Sequence, residues 1–309
     1  MSKFKSSKLI SVFINSNLTK VSGSNRNIKS VNVTNYKEDK LTLSAPMHYI
    51  ISFNQYLHSI DTSKIMLYQD SVAIDAIYEK IKLEEDGIKE IIQDIKKQKF
   101  AGCNVTVPFK KKVIPFLDTL SFEAEKTQSV NTIIFEKGNL IGHNTDIVGF
   151  DKAIKALNFH MKDKKVLILG AGGVVSSIVY ALKEMNVLEI TISNRTKQKA
   201  ENLKILFKNL KIVDWGNLPE FDVVINATSV GLNNEKIDLN FSNTGKNKLF
   251  YDVIYNPAET NFLKEGKQLG NMIENGGKMF IYQASEAFKL WHGIEPEVNF
   301  ETLKLLKND

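Results

Sequence analysis

The stretch Lys164–Met185, KKVLILGAGGVVSSIVYALKEM, decides the fold. Four apolar residues, Val166 to Leu169, run straight into Gly170, Gly172 and Gly173, and an amphipathic segment follows from near Val174. An apolar strand, a glycine turn and a helix in that order form a βα unit whose turn is suited to an anion. Gly170 permits the tight turn and Gly172 lets backbone approach a pyrophosphate. The N–H groups at the helix start are directed at that anion. Gly170, Ala171, Gly172 and Gly173 are therefore candidate cofactor-binding residues. The third glycine of this fingerprint would fall at Val175 and is absent, which sets the helix slightly farther from its strand.

Working outward, the alternation continues. LEITISNRT (Leu188–Thr196), FDVVINATS (Phe221–Ser229) and KLFYDVIYNP (Lys248–Pro257) read as further strands. Strands alternating with helices at this spacing predict a doubly wound parallel sheet, a Rossmann-like domain. The end of the second strand selects the dinucleotide. Where an acid would take a ribose 2′-hydroxyl, the chain carries Asn194 and Arg195. An acid repels a 2′-phosphate, whereas a guanidinium binds it with paired hydrogen bonds. Thr196 adds a hydroxyl and Lys199 a second positive charge one helical turn on. These residues predict NADP(H) rather than NAD(H).

Upstream, the first hundred residues mix strand and helix character. Helices are expected near Met47–His58 and Asp86–Lys99, the second with Ile88, Ile91, Ile92 and Ile95 as one buried stripe. MLYQDS, AGCNVTVP and the opening KLISVFIN read as strands, the last too short in its apolar run for a signal peptide. Residues 15–40 are polar and rich in Ser and Asn. The stretch Gly102–Val113, GCNVTVPFKKKV, stops at Pro108 and lands on three lysines, with Asn104, Thr106 and Lys110 just past the strand. QSVNTIIF supplies Asn131 and Thr132, and IGHNTDIVGF supplies Asn144, Thr145 and Asp146 before a helix expected over Ile147–Leu157. Polar groups set among Val and Ile suit strand ends at a pocket. Taken singly, Asp146 as a helix cap and Asn131 as a turn residue stay open.

Composition narrows the class. At 309 residues and 43% apolar the chain is long enough for two domains with proper cores. No apolar run approaches the ~20 residues that cross a bilayer. The single cysteine, Cys103, excludes an internal disulfide and fits a reducing cytoplasm. The net charge of +6 is spread along the chain rather than clustered beside aromatics, which argues against nucleic acid and suits an anionic small molecule. His48, His58, His143, His160 and His292 have no metal-ligand spacing, so no metal is expected. A monomer or a homodimer is equally compatible with these features.

Taken together, NVTVPFK, SVNT, GHNTD, GAGG, NRT, INATSVGL, YDVIYNP and MFIYQASEAFKLWHG stand in the order and spacing of the shikimate dehydrogenases, from Phe100 to the C-terminus. The chain resembles that family. The resemblance implies an α/β substrate domain over 1–145 with 278–309 and an NADP domain over 146–277, joined by two crossings that allow a hinge. It implies NADPH-dependent interconversion of 3-dehydroshikimate and shikimate. The family's catalytic lysine falls on Lys110 and its aspartate on Asp146; its substrate contacts fall on Thr106, Asn131, Tyr255 and Gln283. Reducing a ketone leaves negative charge on oxygen, which Lys110 would meet, and an acidic neighbour keeps a lysine charged in a desolvated pocket. Lys111 and Lys112 are assigned to solvent, Trp291 and Phe288 to packing. Gly276 falls against the nicotinamide, where a flat ring needs backbone without a side chain.

The resemblance thins toward the N-terminus. The family's serine pair for the substrate carboxylate falls on Thr42 and Ser44 of LTLSAPMHY, with Ala45 where proline is usual and His48 in place. A competing alignment uses Ser30 and Asn32 but loses the histidine. Ile147 stands where glycine is usual, and Ser176 where a basic residue often follows the glycine loop. A quinate or related polyol-acid dehydrogenase, and a catalytically silent dinucleotide-binding relative, are the alternatives.

Overall fold

Two six-stranded sheets organise the chain, one in each of two units. The structure is a computed structural model and describes residues 9–15, 49–50, 66–67 and 76–298. Of the described residues, unit 1 takes those up to Glu125, then Val130–Asn144 and Ala284–Val298; unit 2 takes Lys126–Ser129 and Thr145–Gln283.

Unit 1 contains β1 (Leu9–Asn15), β2 (Tyr49–Ile50), β3 (Met66–Leu67), β4 (Ala76–Lys82), α1 (Ile88–Lys96), β5 (Gly102–Val105) and β6 (Thr119–Leu120). The short helix α2 (Phe122–Thr127) then leads to the hairpin β7 (Thr132–Glu136) and β8 (Asn139–His143). The strand order is β4-β1-β5-β7-β8-β6, antiparallel except between β6 and β8. Lys137 and Gly138 turn the hairpin with φ +51° and +85°, as a two-residue loop between twisted strands requires. The stripe read from the sequence forms: Ile88, Ile91, Ile92 and Ile95 are buried with Phe100, Cys103, Val105 and Phe109. The helix expected over Asp86–Lys99 is shorter, because a 3₁₀ turn over Glu85–Gly87 precedes it and Gln98 takes φ +55° after it.

One expectation is corrected. Tyr49–Ile50, within the helix expected over Met47–His58, pair with Leu67 and Met66 as strands β2 and β3. An aromatic and a β-branched residue in succession fit a pleated strand better than a helix. The remainder of that span, most of MLYQDS beyond Met66–Leu67, and Thr42, Ser44 and His48 lie outside the described residues.

Unit 2 runs α3 (Asp146–Lys155), β9 (Lys165–Leu169), α4 (Val175–Glu184), β10 (Glu189–Ser193), α5 (Lys197–Leu206) and β11 (Lys211–Val213). It continues through β12 (Val223–Asn226), β13 (Leu249–Asp252), α6 (Asn261–Gln268) and β14 (Met272–Glu274) into α7 (Gly277–His292). All six strands are parallel in the order β11-β10-β9-β12-β13-β14. Alternate strand residues face opposite cores, which is why the strands read as unbroken apolar runs. Ile168, Ile192 and Tyr251 face α3 and α4 residues such as Phe150 and Ile178; Leu167, Leu169 and Phe250 face Phe241 and Phe262. The chain reverses direction between β9 and β12, so their C-terminal ends open at the topological switch point, where doubly wound sheets bind ligands. No helix among the described residues is long and apolar enough to cross a membrane.

The second core tests how closely α6 sits on the sheet. A Cβ at Gly266 would lie 2.6 Å from Cγ of Phe250, which is fully buried and 5.4 Å from Phe241 and 5.2 Å from Phe262, centroid to centroid. Gly266→Ala therefore destabilises the fold by roughly 1–3 kcal/mol in urea unfolding, despite the ~1 kcal/mol that alanine adds in helix propensity. Unchanged or increased stability would show that α6 has room to move.

Candidate active site

At the C-terminal end of β9, Gly170 turns the chain with φ +108°, and its N–H donates to the Ser193 carbonyl at 2.8 Å. A Cβ there would stand 2.8 Å from the Ala227 oxygen, so the turn needs glycine for its conformation and for the space. Gly172 has 3.8 Å to the same oxygen and faces open space otherwise. Among the described residues nothing accepts a hydrogen bond from the N–H groups of Ala171, Gly172, Gly173 or Val174. Four successive unpaired donors leading into α4 are the chemistry that an anionic pyrophosphate satisfies. The buried Ser129 hydroxyl donates to the Gly173 carbonyl at 3.4 Å and braces the turn from outside the strand–helix unit.

Register places the selectivity residues beside this turn. Ser193 is paired with Leu169, so Asn194 and Arg195 leave β10 alongside Gly170. The Asn194 amide donates to the Thr196 carbonyl at 2.7 Å and closes a small loop; Thr196 is the N-terminal cap position of α5 but makes no side-chain capping bond. Arg195, Thr196 and Lys199 are all exposed. Lys197 pairs with Asp214 at 3.1 Å, whereas neither Arg195 nor Lys199 has an ion pair or side-chain hydrogen bond among the described residues. These residues fit the 2′-phosphate of NADP: two uncompensated cations and a hydroxyl stand at the edge of an unpaired N–H cradle.

On β12 and β13 the polar ends form a network that the sequence reading did not assign. Asn226 and Asp252 are register partners, both fully buried. Asn226 Nδ2 donates to Asp252 Oδ1 at 3.0 Å and to the Val230 carbonyl at 3.1 Å. Its Oδ1 accepts from the Thr228 N–H and hydroxyl at 3.1 and 2.7 Å. Asp252 also accepts from the Ile254 N–H at 3.0 Å and from the Thr260 hydroxyl at 2.6 Å. Farther along the loop, Glu235 accepts from the N–H groups of Asn233 and Gly231; the Asn233 N–H foremost holds that carboxyl at about 2. The signal available in the sequence was an Asp ending a fully apolar strand, a position that must find partners.

Gly276 is a glycine for a different reason from the one expected. A Cβ there would lie 2.0 Å from the Val253 oxygen, so the backbone of the β13 loop excludes a side chain before any ligand is considered. Its N–H donates to the Ile254 carbonyl, and Asn275 Oδ1 accepts the Gly277 N–H to start α7. One turn into α7, Phe280 stacks on Tyr255 with ring centroids 4.7 Å apart and planes 21° apart. Gln283 Nε2 donates to the Phe280 carbonyl at 2.9 Å. A Cβ at Gly149 would lie 2.7 Å from the Met279 oxygen and 2.8 Å from Gln283 Cβ, so α3 and α7 touch backbone to backbone. Asp146, one turn earlier on α3, is buried in the first helical turn, and Thr145 holds the cap position without a side-chain capping bond. Unit 2 thus gathers Tyr255, Gln283 and the Asp146 turn about the start of α7.

Unit 1 gathers a second set. The Val105 N–H donates to the Asn131 carbonyl at 2.7 Å, and Asn104 Nδ2 donates to that carbonyl and to Thr132 Oγ1. After the cis Val107–Pro108 bond, Phe109 and Val113 bury completely and hold a helical turn that carries Lys110. The Lys110 carbonyl accepts the Val130 N–H at 2.8 Å, which fastens that turn to the residue before Asn131. Lys110 is 8% exposed and Asn131 3%, with Thr106 half-buried at the same strand end. Lys111 is exposed as expected, but Lys112 is half-buried and paired with Glu85. Phe288 is buried and Trp291 half-buried, its indole N–H donating to the Ile133 carbonyl. Burial drives the Cys103 thiol well above its ordinary pKa, which makes it an inert core residue. Among the described residues no group of three or more His, Cys, Asp or Glu is arranged to hold a metal.

The Asp252 network has a pH signature. Burial, opposed by bonds from Thr260, Ile254 and Asn226, raises the Asp252 carboxyl to about 6. Between its unfolded value near 4 and its folded value the native state holds the proton and the unfolded state does not, so this group's contribution falls as pH rises through that window. In urea unfolding, the stability of wild type minus that of Asp252→Asn decreases by at most about 3 kcal/mol from pH 4 to 6 and levels above. A difference independent of pH would exclude a raised carboxyl.

The residues that build these two sets also match known proteins. Residues 58–133 match the family model for the shikimate dehydrogenase substrate binding domain, and residues 151–257 that for shikimate / quinate 5-dehydrogenase. A shikimate dehydrogenase (NADP(+)) of Pelagibacter ubique is 49% identical over 259 residues, covering 84% of this chain and 98% of that one. A Thermus thermophilus shikimate 5-dehydrogenase, solved with NADP(H) and shikimate, superposes with a TM-score of 0.66 at 31% identity, covering 77% of this chain and 87% of that one. A quinate dehydrogenase of Corynebacterium glutamicum, solved with NAD, superposes with a TM-score of 0.65 at 30% identity over 71% of this chain and 81% of that one. Fold, glycine turn and sequence agree, and the chain belongs to the shikimate dehydrogenase family.

Proposed function

We propose that Lys110 and Asp146 carry the chemistry of a reversible, NADPH-dependent reduction of 3-dehydroshikimate to shikimate. The chain is an NADP-dependent oxidoreductase of its family. The observation that carries the cofactor side is the run of N–H groups from Ala171 to Val174, unpaired among the described residues, beside Arg195 and Lys199, which have no ion pair there. Bound NADPH supplies the hydride. As the carbonyl carbon accepts it, the C=O π pair moves onto oxygen, and the Lys110 ammonium gives that oxygen its proton. Asp146 accepts a hydrogen bond from the reacting hydroxyl. Thr106, Asn131, Tyr255 and Gln283 orient the ring hydroxyls, and Thr42 with Ser44 grips the carboxylate.

Arg195 favours NADP over NAD, and with it shikimate over the NAD-linked quinate reading. Reduction of NADP+ with shikimate and not with quinate is the outcome that supports this choice; faster turnover of quinate would reverse it. The reading places the enzyme in a reducing cytoplasm as a monomer or homodimer, in keeping with its one buried cysteine.

Because charge develops mainly in the transition state, Lys110→Ala lowers kcat by roughly 10²–10⁴-fold while shifting the Michaelis constant for shikimate far less. Steady-state kinetics decide it: a raised Michaelis constant at unchanged kcat would reduce Lys110 to a binding group. Arg195→Ala weakens NADP+ binding by about tenfold or more and leaves NAD+ binding unchanged, since a charge-assisted pair to the 2′-phosphate is lost. Equal losses for both dinucleotides would remove Arg195 from the selectivity site.

A further inference from the structure

We infer that Asp252 is a positioning residue for the cofactor cradle, the carboxylate that ties the loop packed on Gly170 to the loop packed on Gly276; this rests on unit 2 being the NADP site. Asp252 ends β13 and is fully buried, and its hydrogen bonds go to Asn226, Ile254 and Thr260 rather than to either turn. Those partners lead to both turns. Through Asn226 it holds Thr228 and Val230, and the loop they belong to presses on the glycine turn, with the Ala227 oxygen 2.8 Å and Thr228 Cγ2 3.1 Å from a Cβ at Gly170. Through the Ile254 N–H it holds the loop whose Val253 oxygen abuts Gly276 and whose Tyr255 stacks on Phe280. Through Thr260 it reaches the cap of α6, whose methyl lies 3.3 Å from a Cβ at Gly231, itself at φ +119°.

A structural account of Asp252 alone is insufficient. At the end of β13, an apolar residue of similar size would serve the sheet as well, because a buried carboxyl is costly even when paired. What an apolar residue cannot do is accept from three donors on separate segments at once. The three segments are the end of β12, the loop after β13 and the α6 cap, and the first two lead into the loops that back the two glycines read as the pyrophosphate and nicotinamide contacts. Losing the carboxyl lets those loops drift against Gly170 and Gly276 without unpacking the sheet.

The test uses the full-length enzyme, with NADP+ titrated calorimetrically and kinetics measured for both substrates. Asp252→Ala raises the Kd and Michaelis constant for NADP+ about tenfold or more, the equivalent of losing one or two hydrogen bonds. Asp252→Asn, whose Oδ1 still accepts from Asn226 and Ile254 and whose amide still reaches Thr260, recovers binding to within about threefold of wild type. Thr260→Val, which deletes a single hydroxyl, gives a smaller rise and decides the matter if Asp252→Ala does not fold. A folded Asp252→Ala, or a Thr260→Val, that binds NADP+ as wild type does would overturn the inference, as would a failure of Asp252→Asn to recover it. If wild type itself fails to bind NADP+, the cofactor reading falls first and the inference with it.

Discussion

One constraint organises the glycine turn of unit 2: the backbone from Ala171 to Val174 presents four N–H groups that no described residue pairs. Buried, such groups would cost several kcal/mol; left at the mouth of the sheet, they wait for an anion. Keeping them there requires the chain to leave β9 at φ +108°, which only Gly170 does without strain. That turn in turn needs the Ala227 carbonyl close behind it, and Ala227 is held there by the bonds of Asn226 to Thr228 and Val230. The cradle is defined by backbone, so its specificity for phosphate is independent of most side chains around it.

The substrate side is built on the opposite plan. In unit 1 the polar atoms at the ends of β5 and β7 are side chains set by apolar neighbours: Phe109 and Val113 bury, and Lys110 follows from where they go. Asn104, Asn131 and Thr132 bond one another across the register pair Asn104 and Thr132, which fixes their rotamers. A site of this kind discriminates by side-chain identity and changes with single substitutions. The two plans explain why a shikimate dehydrogenase solved with NADP(H) and shikimate and a quinate dehydrogenase solved with NAD superpose equally well on this chain, at TM-scores of 0.66 and 0.65.

Legibility followed the same division. The glycine turn, the parallel sheet and the isoleucine stripe of α1 were readable because each has a local period or a local steric demand. The clustering of Thr106, Lys110 and Asn131 was readable from motif order alone, since nothing local says that the turn after β5 is fastened to the start of β7. Asp252 was missed because its partners Asn226 and Thr260 lie 26 and 8 residues away and the strand around it reads as plain core. Gly276 meets a further steric demand that is invisible in sequence, the Val253 carbonyl. At Tyr49–Ile50 the local preference for strand outweighed the helical spacing around it.

Arg195 carries the argument about cofactor choice further than its type alone. At the start of α5 and its approach the chain has Arg195, Lys197 and Lys199, and among the described residues only Lys197 of these three is paired, with Asp214. A purely solubilising surface has no reason to pair the middle cation and leave the flanking two, since exposed pairs are worth little either way. A surface that must take a doubly charged phosphate does. On the proposed reading, pairing Lys197 with Asp214 occupies that acid, while Arg195 and Lys199 would keep their charge for the 2′-phosphate. Asp214 follows directly on β11, the strand beside β10, so the sheet that sets Gly170 next to Asn194 also brings Asp214 to the start of α5.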